Sequence, residues 1–324
     1  MKAVQAQALN SVSDYHLVDL PTPEPGSGEV RIKVAACGVG YVDALVSLGR
    51  YQVKPPVPHI PGGEAAGVVD AVGEGVTGLA VGDRVMAQVG GGFAEYAVAR
   101  APAVAKIPDA MAFEAACGFR INYVTALHGL RDRGALKAGE RLLVSGAAGG
   151  VGAAAVQLGK ILDAQVIACA SSEEKRAFAQ SLGADLAIDT APEGWRDRLK
   201  TLTEGKGVDV YFDPVCGPLF ELAFRSMAWG GRHLVVGFVG GPIPALPANL
   251  TLMKGAALMG VDVRQFMLFE GRQAQAHLVE LLGWVGEGRL KPPVGRIFPF
   301  DDFAPALEFA LSGQGLGKTV LSVG

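Results

Sequence analysis

The stretch GAAGGVG, residues 146–152, has glycine at every third position and is suited to letting a backbone come close to something. It follows the apolar run RLLVS and opens the run VGAAAVQLGKIL, so a strand leads directly into a helix at this point. Gly149 lets the main chain approach a pyrophosphate, and Gly152 lets the helix pack close to the strand. The N-terminus of that helix then faces the negative charge. The chemistry implied is dinucleotide binding. About twenty residues on, the run AQVIACA ends in Ala170, where an NAD site would carry an acid for the ribose 2′-hydroxyl. Ser171 and Ser172 supply hydroxyls instead, with Lys175 and Arg176 one turn into the next helix, so the spacing points to NADPH. Glu173 and Glu174 fall in the first turn of that helix, where they suit its dipole and point to solvent.

The elements around this loop set the fold class. RLLVSG, AQVIACA, DLAID, VDVYFD, RHLVVGF and ALMGVDV are short apolar runs that mostly alternate with helical patterns over residues 121–263. That rhythm predicts an α/β, doubly wound parallel sheet. Before it, EVRIKVAACGVG, GEAAGVVDAVG, DRVMAQVG and FAEYAVAR are strand-like and separated by Gly, Pro and Asp, predicting a compact, mostly β domain over residues 1–120. The mixed segment 264–324, ending in GKTVLSVG, is expected to rejoin that first domain. ALMGVDV, last in the sheet, would leave an apolar edge, which predicts pairing in a homodimer.

Composition excludes several classes. The 324 residues are 50% hydrophobic and 19% charged with a net charge of −3, which gives no basic footprint for nucleic acid. No apolar run reaches membrane-spanning length, and MKAVQAQALNSV lacks the apolar core of a signal peptide, so a cytoplasmic location with no membrane association is expected. Cys37, Cys117, Cys169 and Cys216 are far apart and form no C-x-x-C pair, so they read as small buried hydrophobes.

Together, CGVGYVDAL, GRY, PGGEAAGVVDAVG, VGDRV, GGFAEYAV, NYVTAL, SGAAGGVGAAAVQLGK, GVDVYFDPVCG, GGRHLVVGF and GKTVL resemble the zinc-free quinone oxidoreductase (zeta-crystallin-like) branch of the medium-chain dehydrogenase/reductase superfamily. The resemblance implies a GroES-like catalytic domain (1–120 and 264–324) and a Rossmann NADP-binding domain (121–263). It implies that Ala148, Gly149, Gly150 and Val151 meet the pyrophosphate and that Thr190 lies by the adenosine. Gly237, Phe238 and Val239 border the nicotinamide, and Lys318 lies near the cofactor phosphate. Asn122, Tyr123 and Thr125 line the nicotinamide pocket, with Thr125 the catalytic candidate there. Tyr51 either donates a proton to an enolate or stacks on the cofactor. Tyr41 helps form the substrate pocket, where Asp43 holds a loop. Arg120 is the only charge between Glu114 and Arg131, and Arg264 follows the sheet's last strand. Either arginine could recognise an acidic group on the substrate, or pair with a nearby acid.

Zinc-bearing relatives place their ligands at positions matching Gly40, Gly63 and Cys117, so here two of three are glycine and no metal is expected. Without a Lewis acid, simple alcohols become poor substrates, whereas quinones and conjugated alkenes accept hydride and spread the charge themselves. The expected activity is a zinc-independent, NADPH-dependent reductase of a quinone or enone-type acceptor. An enoyl-thioester reductase and a non-catalytic NADPH-binding protein remain alternatives.

Overall fold

The run EVRIKVAACGV alternates Val, Ile and Ala with polar or small residues, and it forms one long strand whose Val30, Ile32, Val34 and Ala36 are buried. The computed structural model describes residues 1–51 and 54–324, and the chain divides into two units. The first comprises Met1–Arg120 with Val285–Gly324, and the second Ile121–Trp284. The strands are β1 (Lys2–Ala6), β2 (Tyr15–Asp19), β3 (Glu29–Val39), β4 (Glu64–Val72), β5 (Arg84–Gln88), β6 (Tyr96–Arg100) and β7 (Val104–Lys106). They continue as β8 (Arg141–Ser145), β9 (Gln165–Cys169), β10 (Leu186–Ile188), β11 (Val208–Asp213), β12 (Met227–Val235) and β13 (Ala257–Gly260). The last are β14 (Val294–Pro299) and β15 (Lys318–Ser322).

Among the described residues, the first unit contains a seven-stranded sheet in the order β14-β15-β3-β4-β5-β7, with β6 pairing on β3 as well. The β3–β4 ladder slips register at Arg31/Ile32 and again at Val34/Ala36. Such irregularities bend a strand, and β3 pairs with β4, β6 and β15 at different points along its length. Val30, Ile32, Val69 and Val85 fill one side of this curved sheet, while Phe93, Phe298, Phe303 and Leu321 gather in a second cluster. β15 lies inside the sheet, antiparallel to β3 and parallel to β14.

The second unit holds a parallel sheet in the order β10-β9-β8-β11-β12-β13. Its central strands are apolar on both faces because helices cover both, which explains why they read as nearly continuous hydrophobic runs. The strand order reverses between β8 and β11, the switch point at which such sheets take their ligands. β13 is the edge and is mostly exposed, with Leu258 41% accessible.

Residues 264–284, expected with the first domain, group instead with the second unit. Helices Val263–Phe269 and Gly271–Gly286 are tied to the segment His128–Arg133. Phe266 stacks on His128 with ring centroids 3.8 Å apart, and Arg131 donates twice to Glu280 at 2.7 and 3.0 Å. Among the described residues no helix is long and apolar enough to cross a membrane.

Candidate active site

In the second unit the site begins where β8 ends. Gly146 turns the chain with φ +57°, a left-handed conformation that L side chains rarely adopt. Its carbonyl accepts from the Gly149 amide at 2.9 Å, and Gly149 then caps helix Gly150–Ile161. A Cβ on Gly152 would collide with the Gly146 carbonyl oxygen, so that position admits no side chain. A Cβ on Gly149 would have only the Gly146 oxygen nearby, at 3.4 Å, so the turn itself leaves room there. One on Gly150 would stand 2.7 Å from Asn122 Nδ2, which places the Asn122 amide against the loop. The first-turn amides at Gly150, Val151 and Gly152 have no carbonyl within the helix to bond. Ala148, Gly149, Gly150 and Val151 thus combine close backbone with a helix N-terminus, an arrangement that could hold a pyrophosphate.

The floor beneath this loop is a polar cluster not foreseen from the sequence. Asp213, wholly buried at the end of β11, accepts from Ser145 Oγ at 2.5 Å and from the amides of Val215 and Cys216 at 3.0 and 2.9 Å. Its other oxygen lies 3.1 Å from His233 Nε2. Burial works against the charged carboxyl, but His233 and these hydrogen bonds prevail and hold its pKa below the usual 3.8. The cluster thus fixes the turn after β11 beside the glycine loop, since Gly146 packs on Val215 and Gly237 packs on the Pro214 carbonyl. Phe238 and Val239, just beyond Gly237, are exposed at 43% and 47%. The sequence signal was the D in VYFD, which ends an otherwise apolar run.

At the ribose end, Ser172 caps helix Glu173–Ser181 by accepting from the Lys175 amide at 3.2 Å. Lys175 Nζ donates to Ser171 Oγ at 3.4 Å, and Arg176 donates to the Ala170 carbonyl at 3.1 Å. Ser171, Ser172 and Lys175 are therefore brought together, and Thr190 is exposed just past β10. In helix Phe119–Leu127, Tyr123 Oη donates to Gln157 at 2.7 Å. Thr125 Oγ1 donates to the Ile121 carbonyl of its own helix at 2.5 Å, which leaves the hydroxyl able to accept but commits its proton.

In the first unit, Tyr41 opens helix Tyr41–Ser47 and Tyr51 sits in the bend after it, both half-buried. Asp43 Oδ2 accepts from the Gly40 amide at 2.7 Å, holding this loop as expected of it. Lys318 was expected near the cofactor phosphate; its Nζ lies 3.6 Å from Glu64 Oε2, with side-chain exposures of 16% and 11%. Burial lowers the affinity of this ammonium for its proton, but the Glu64 and Asp43 carboxylates outweigh it, and the pKa stands above the ordinary lysine value. Cys117 is wholly buried, its thiol pushed far up by desolvation, and its Sγ contacts the Glu114 carbonyl at 3.4 Å. Among the described residues no group of three or more His, Cys, Asp or Glu is placed to hold a metal ion.

The two arginines differ. Arg120 donates to the Ala103 carbonyl at 2.8 Å; burial lowers its pKa, opposed by the field of Glu64. Arg264 pairs with Asp262, the cap of its own helix, at 3.1 Å. Glu64 is the residue that sequence reasoning passed over, although it directly follows Gly63.

Two family models match the chain, one in each unit. Residues 26–109 match the alcohol dehydrogenase GroES-like domain, and residues 150–280 match the zinc-binding dehydrogenase family. A quinone oxidoreductase-like protein 2 homolog of Nematostella vectensis is 35% identical, over 99% of this chain and 89% of that protein. The quinone oxidoreductase of Thermus thermophilus, solved alone and with NADPH, superposes with a TM-score of 0.85 at 33% identity, covering all of both chains. A crystal structure of an NAD-dependent alcohol dehydrogenase superposes with a TM-score of 0.92 at 31% identity, again over all of both. The chain is an oxidoreductase and belongs to the quinone oxidoreductase branch of the medium-chain dehydrogenase/reductase superfamily.

Proposed function

We propose that this enzyme is a zinc-independent, NADPH-dependent reductase that transfers hydride to quinones or activated alkenes. The observation that carries this reading is the state of the three zinc-ligand positions. Gly40 and Gly63 offer no donor, and Cys117 is a protonated, buried thiol. A Cβ at Gly40 would already stand 3.0 Å from Asp43 Oδ2 and 3.3 Å from Lys318 Nζ, so a cation of the protein's own occupies this neighbourhood. One thiol and two glycines do not make a zinc donor set.

NADPH supplies the hydride when bound. Ala148, Gly149, Gly150 and Val151 would hold its pyrophosphate, and Ser171 with Lys175 its 2′-phosphate, where Ala170 leaves no carboxylate to repel it. Gly237, Phe238 and Val239 would border the nicotinamide, with Tyr51 and Thr125 beside the reacting atoms. The NADPH complex of the Thermus relative supports the cofactor, and the names of the curated relatives support a quinone acceptor. A homodimer working in the cytoplasm completes the reading, the dimer supported by the exposed edge β13.

The test is the initial rate of NADPH oxidation by chelator-treated protein with a small quinone, a simple enone and an enoyl thioester, with NADH in parallel. Turnover of the quinone or enone under chelation, faster with NADPH, is the expected result. A preference for the thioester would move the enzyme to the enoyl-reductase class, and silence with NADPH bound would leave a binding protein. Activity abolished by the chelator and restored by zinc would refute the proposal.

A further inference from the structure

Two of the five histidines share one carboxylate in the second unit, and the proposed reaction uses neither. The segment His128–Arg133 is wound as a π-helix, and the Gly134 amide reaches back five residues to the Gly129 carbonyl at 2.7 Å. Wide turns of this kind are rare overall and concentrate at functional sites. Here His128 Nδ1 comes to 2.8 Å from Asp132 Oδ2. His277, from helix Gly271–Gly286, points its Nε2 at the same oxygen from 3.6 Å, too far for a hydrogen bond. The Phe266 ring stands by both imidazoles, stacked on His128 at 3.8 Å and tilted against His277 at 5.5 Å between centroids. Both histidines and Phe266 are more than nine-tenths buried, and His277 Nδ1 is sealed from solvent with no partner.

The pocket accommodates His277 as a neutral ring and has no place for its second proton. A protonated imidazole carries an N–H on both nitrogens, and the one at Nδ1 would be buried without an acceptor, a costly state. The Asp132 oxygen that could compensate the charge is already taken by His128. Of the other charges facing His277, Arg131 repels it, and Glu280, on its own helix, is bound twice by Arg131. Helix Val263–Phe269 has one charged residue, Arg264, which pairs with Asp262. Burial, helped by Arg131 and His128, outweighs the two carboxylates and keeps the His277 pKa below 6.5. We propose that His128, Asp132 and His277 form an acid-released latch. It holds helices Val263–Phe269 and Gly271–Gly286 on the segment His128–Arg133 at neutral pH, and lets them go when His277 takes a proton from water. Release solvates the imidazolium and adds Phe266 to Leu268 and Phe269, which the latched helix already leaves 73% and 76% exposed. Acid thus enlarges an apolar face on the helix that follows β13.

Hydrogen exchange of the intact chain, read by mass spectrometry between about pH 7.5 and pH 5 and corrected for the intrinsic rate, tests the latch without turnover. The released form binds one more proton than the latched one, so protection across residues 263–286 should fall about tenfold per pH unit below about pH 6.5. It should also stay at least about tenfold below that of β8 and β9, because the helices open without the sheet. His277→Gln, which cannot take the proton, should flatten the pH dependence. His128→Gln frees the Asp132 oxygen to pair with protonated His277 and should reduce the loss at low pH by about tenfold, the effect of a close carboxylate moving a pKa by one unit. Flat wild-type protection, or equal protection in helices and strands at every pH, would overturn the proposal, since only global unfolding would then be seen. A pH dependence that survives His277→Gln would overturn it as well. Should either variant fail to fold, the wild-type comparison of helices with strands decides alone.

Discussion

Gly149 and Gly152 sit in the same loop, yet alanine at the two positions should fail in different ways. A Cβ at Gly152 would overlap the Gly146 carbonyl oxygen and stand 2.7 Å from Gly146 C and 3.0 Å from Ala147 Cα. All three are backbone atoms, so no side chain can swing aside and the turn itself must move. Overpacking of this kind costs about 1–3 kcal/mol, which corresponds to a fall in Tm of roughly 2–12 °C for a domain of this size. A Cβ at Gly149 meets nothing closer than the Gly146 oxygen at 3.4 Å, and the backbone there, at φ −84°, suits any residue. Gly149→Ala should therefore leave Tm within about 2 °C, since lost unfolded-state entropy offsets a slightly poorer helix cap. Its methyl group would instead project into the space a pyrophosphate needs and weaken NADPH binding at least about tenfold, or ~1.4 kcal/mol. Thermal unfolding without ligand and fluorescence titration with NADPH separate the two effects. Gly149→Ala binding NADPH as wild type does, or unfolding as early as Gly152→Ala, would refute this reading of the loop.

Asp213→Ala removes the common partner of Ser145, His233 and two backbone amides, and urea unfolding should show a loss of about 3–5 kcal/mol. Because the native carboxyl titrates below the usual 3.8, its contribution is complete above that pH and fades as pH falls through the native value. His277 is buried with Nδ1 unpaired, and burial outweighs the field of Asp132 to hold its pKa below 6.5. It costs nothing above that pH; below it the unfolded chain takes a proton the native one refuses, so stability declines with acid. His277→Leu should flatten the urea midpoint between about pH 6.5 and pH 5; an unchanged slope would exclude His277 as the source. Arg120, half-buried against one neutral carbonyl, should tolerate Arg120→Met without loss of Tm. If it recognises acids, KM for a carboxylate-bearing enone should rise about tenfold while a neutral enone is unaffected; equal changes would remove it from the substrate site.

The glycine loop and the parallel sheet were legible because their signals are local. RLLVS followed by GAAGGVG states a strand, a turn and a helix within a dozen residues, and the later strands carry apolar runs that only a covered sheet would bury. The segment 264–284 was not, because an amphipathic helix announces that it will pack but not against what. Its assignment rests on Phe266 meeting His128 and Glu280 meeting Arg131, contacts between residues more than a hundred positions apart. Lys318 is a similar case. Gly38, Gly40 and Gly118 leave room for its side chain, but the lysine that comes close is some two hundred residues or more further along, so nothing local announces the contact. Thr125 was read from its position in NYVTAL, and the hydrogen bond that commits its proton to its own helix depends on a rotamer.

The position of β15 inside the first sheet has a consequence for how the protein is made. β3 cannot receive that neighbour until the ribosome has delivered residues 318–322, some 280 positions later. By then the whole of Ile121–Trp284 has been synthesised, and a parallel sheet with helices on both faces can assemble from that stretch alone. The nucleotide unit is thus positioned to fold first, while the flanking β unit waits with an open edge for a strand from the far end of the chain. Closing so long a loop adds little to the equilibrium cost, since the entropy grows only with the logarithm of length, but it sets the order of events. The first unit is completed last, by the same strand that brings Lys318 to Glu64.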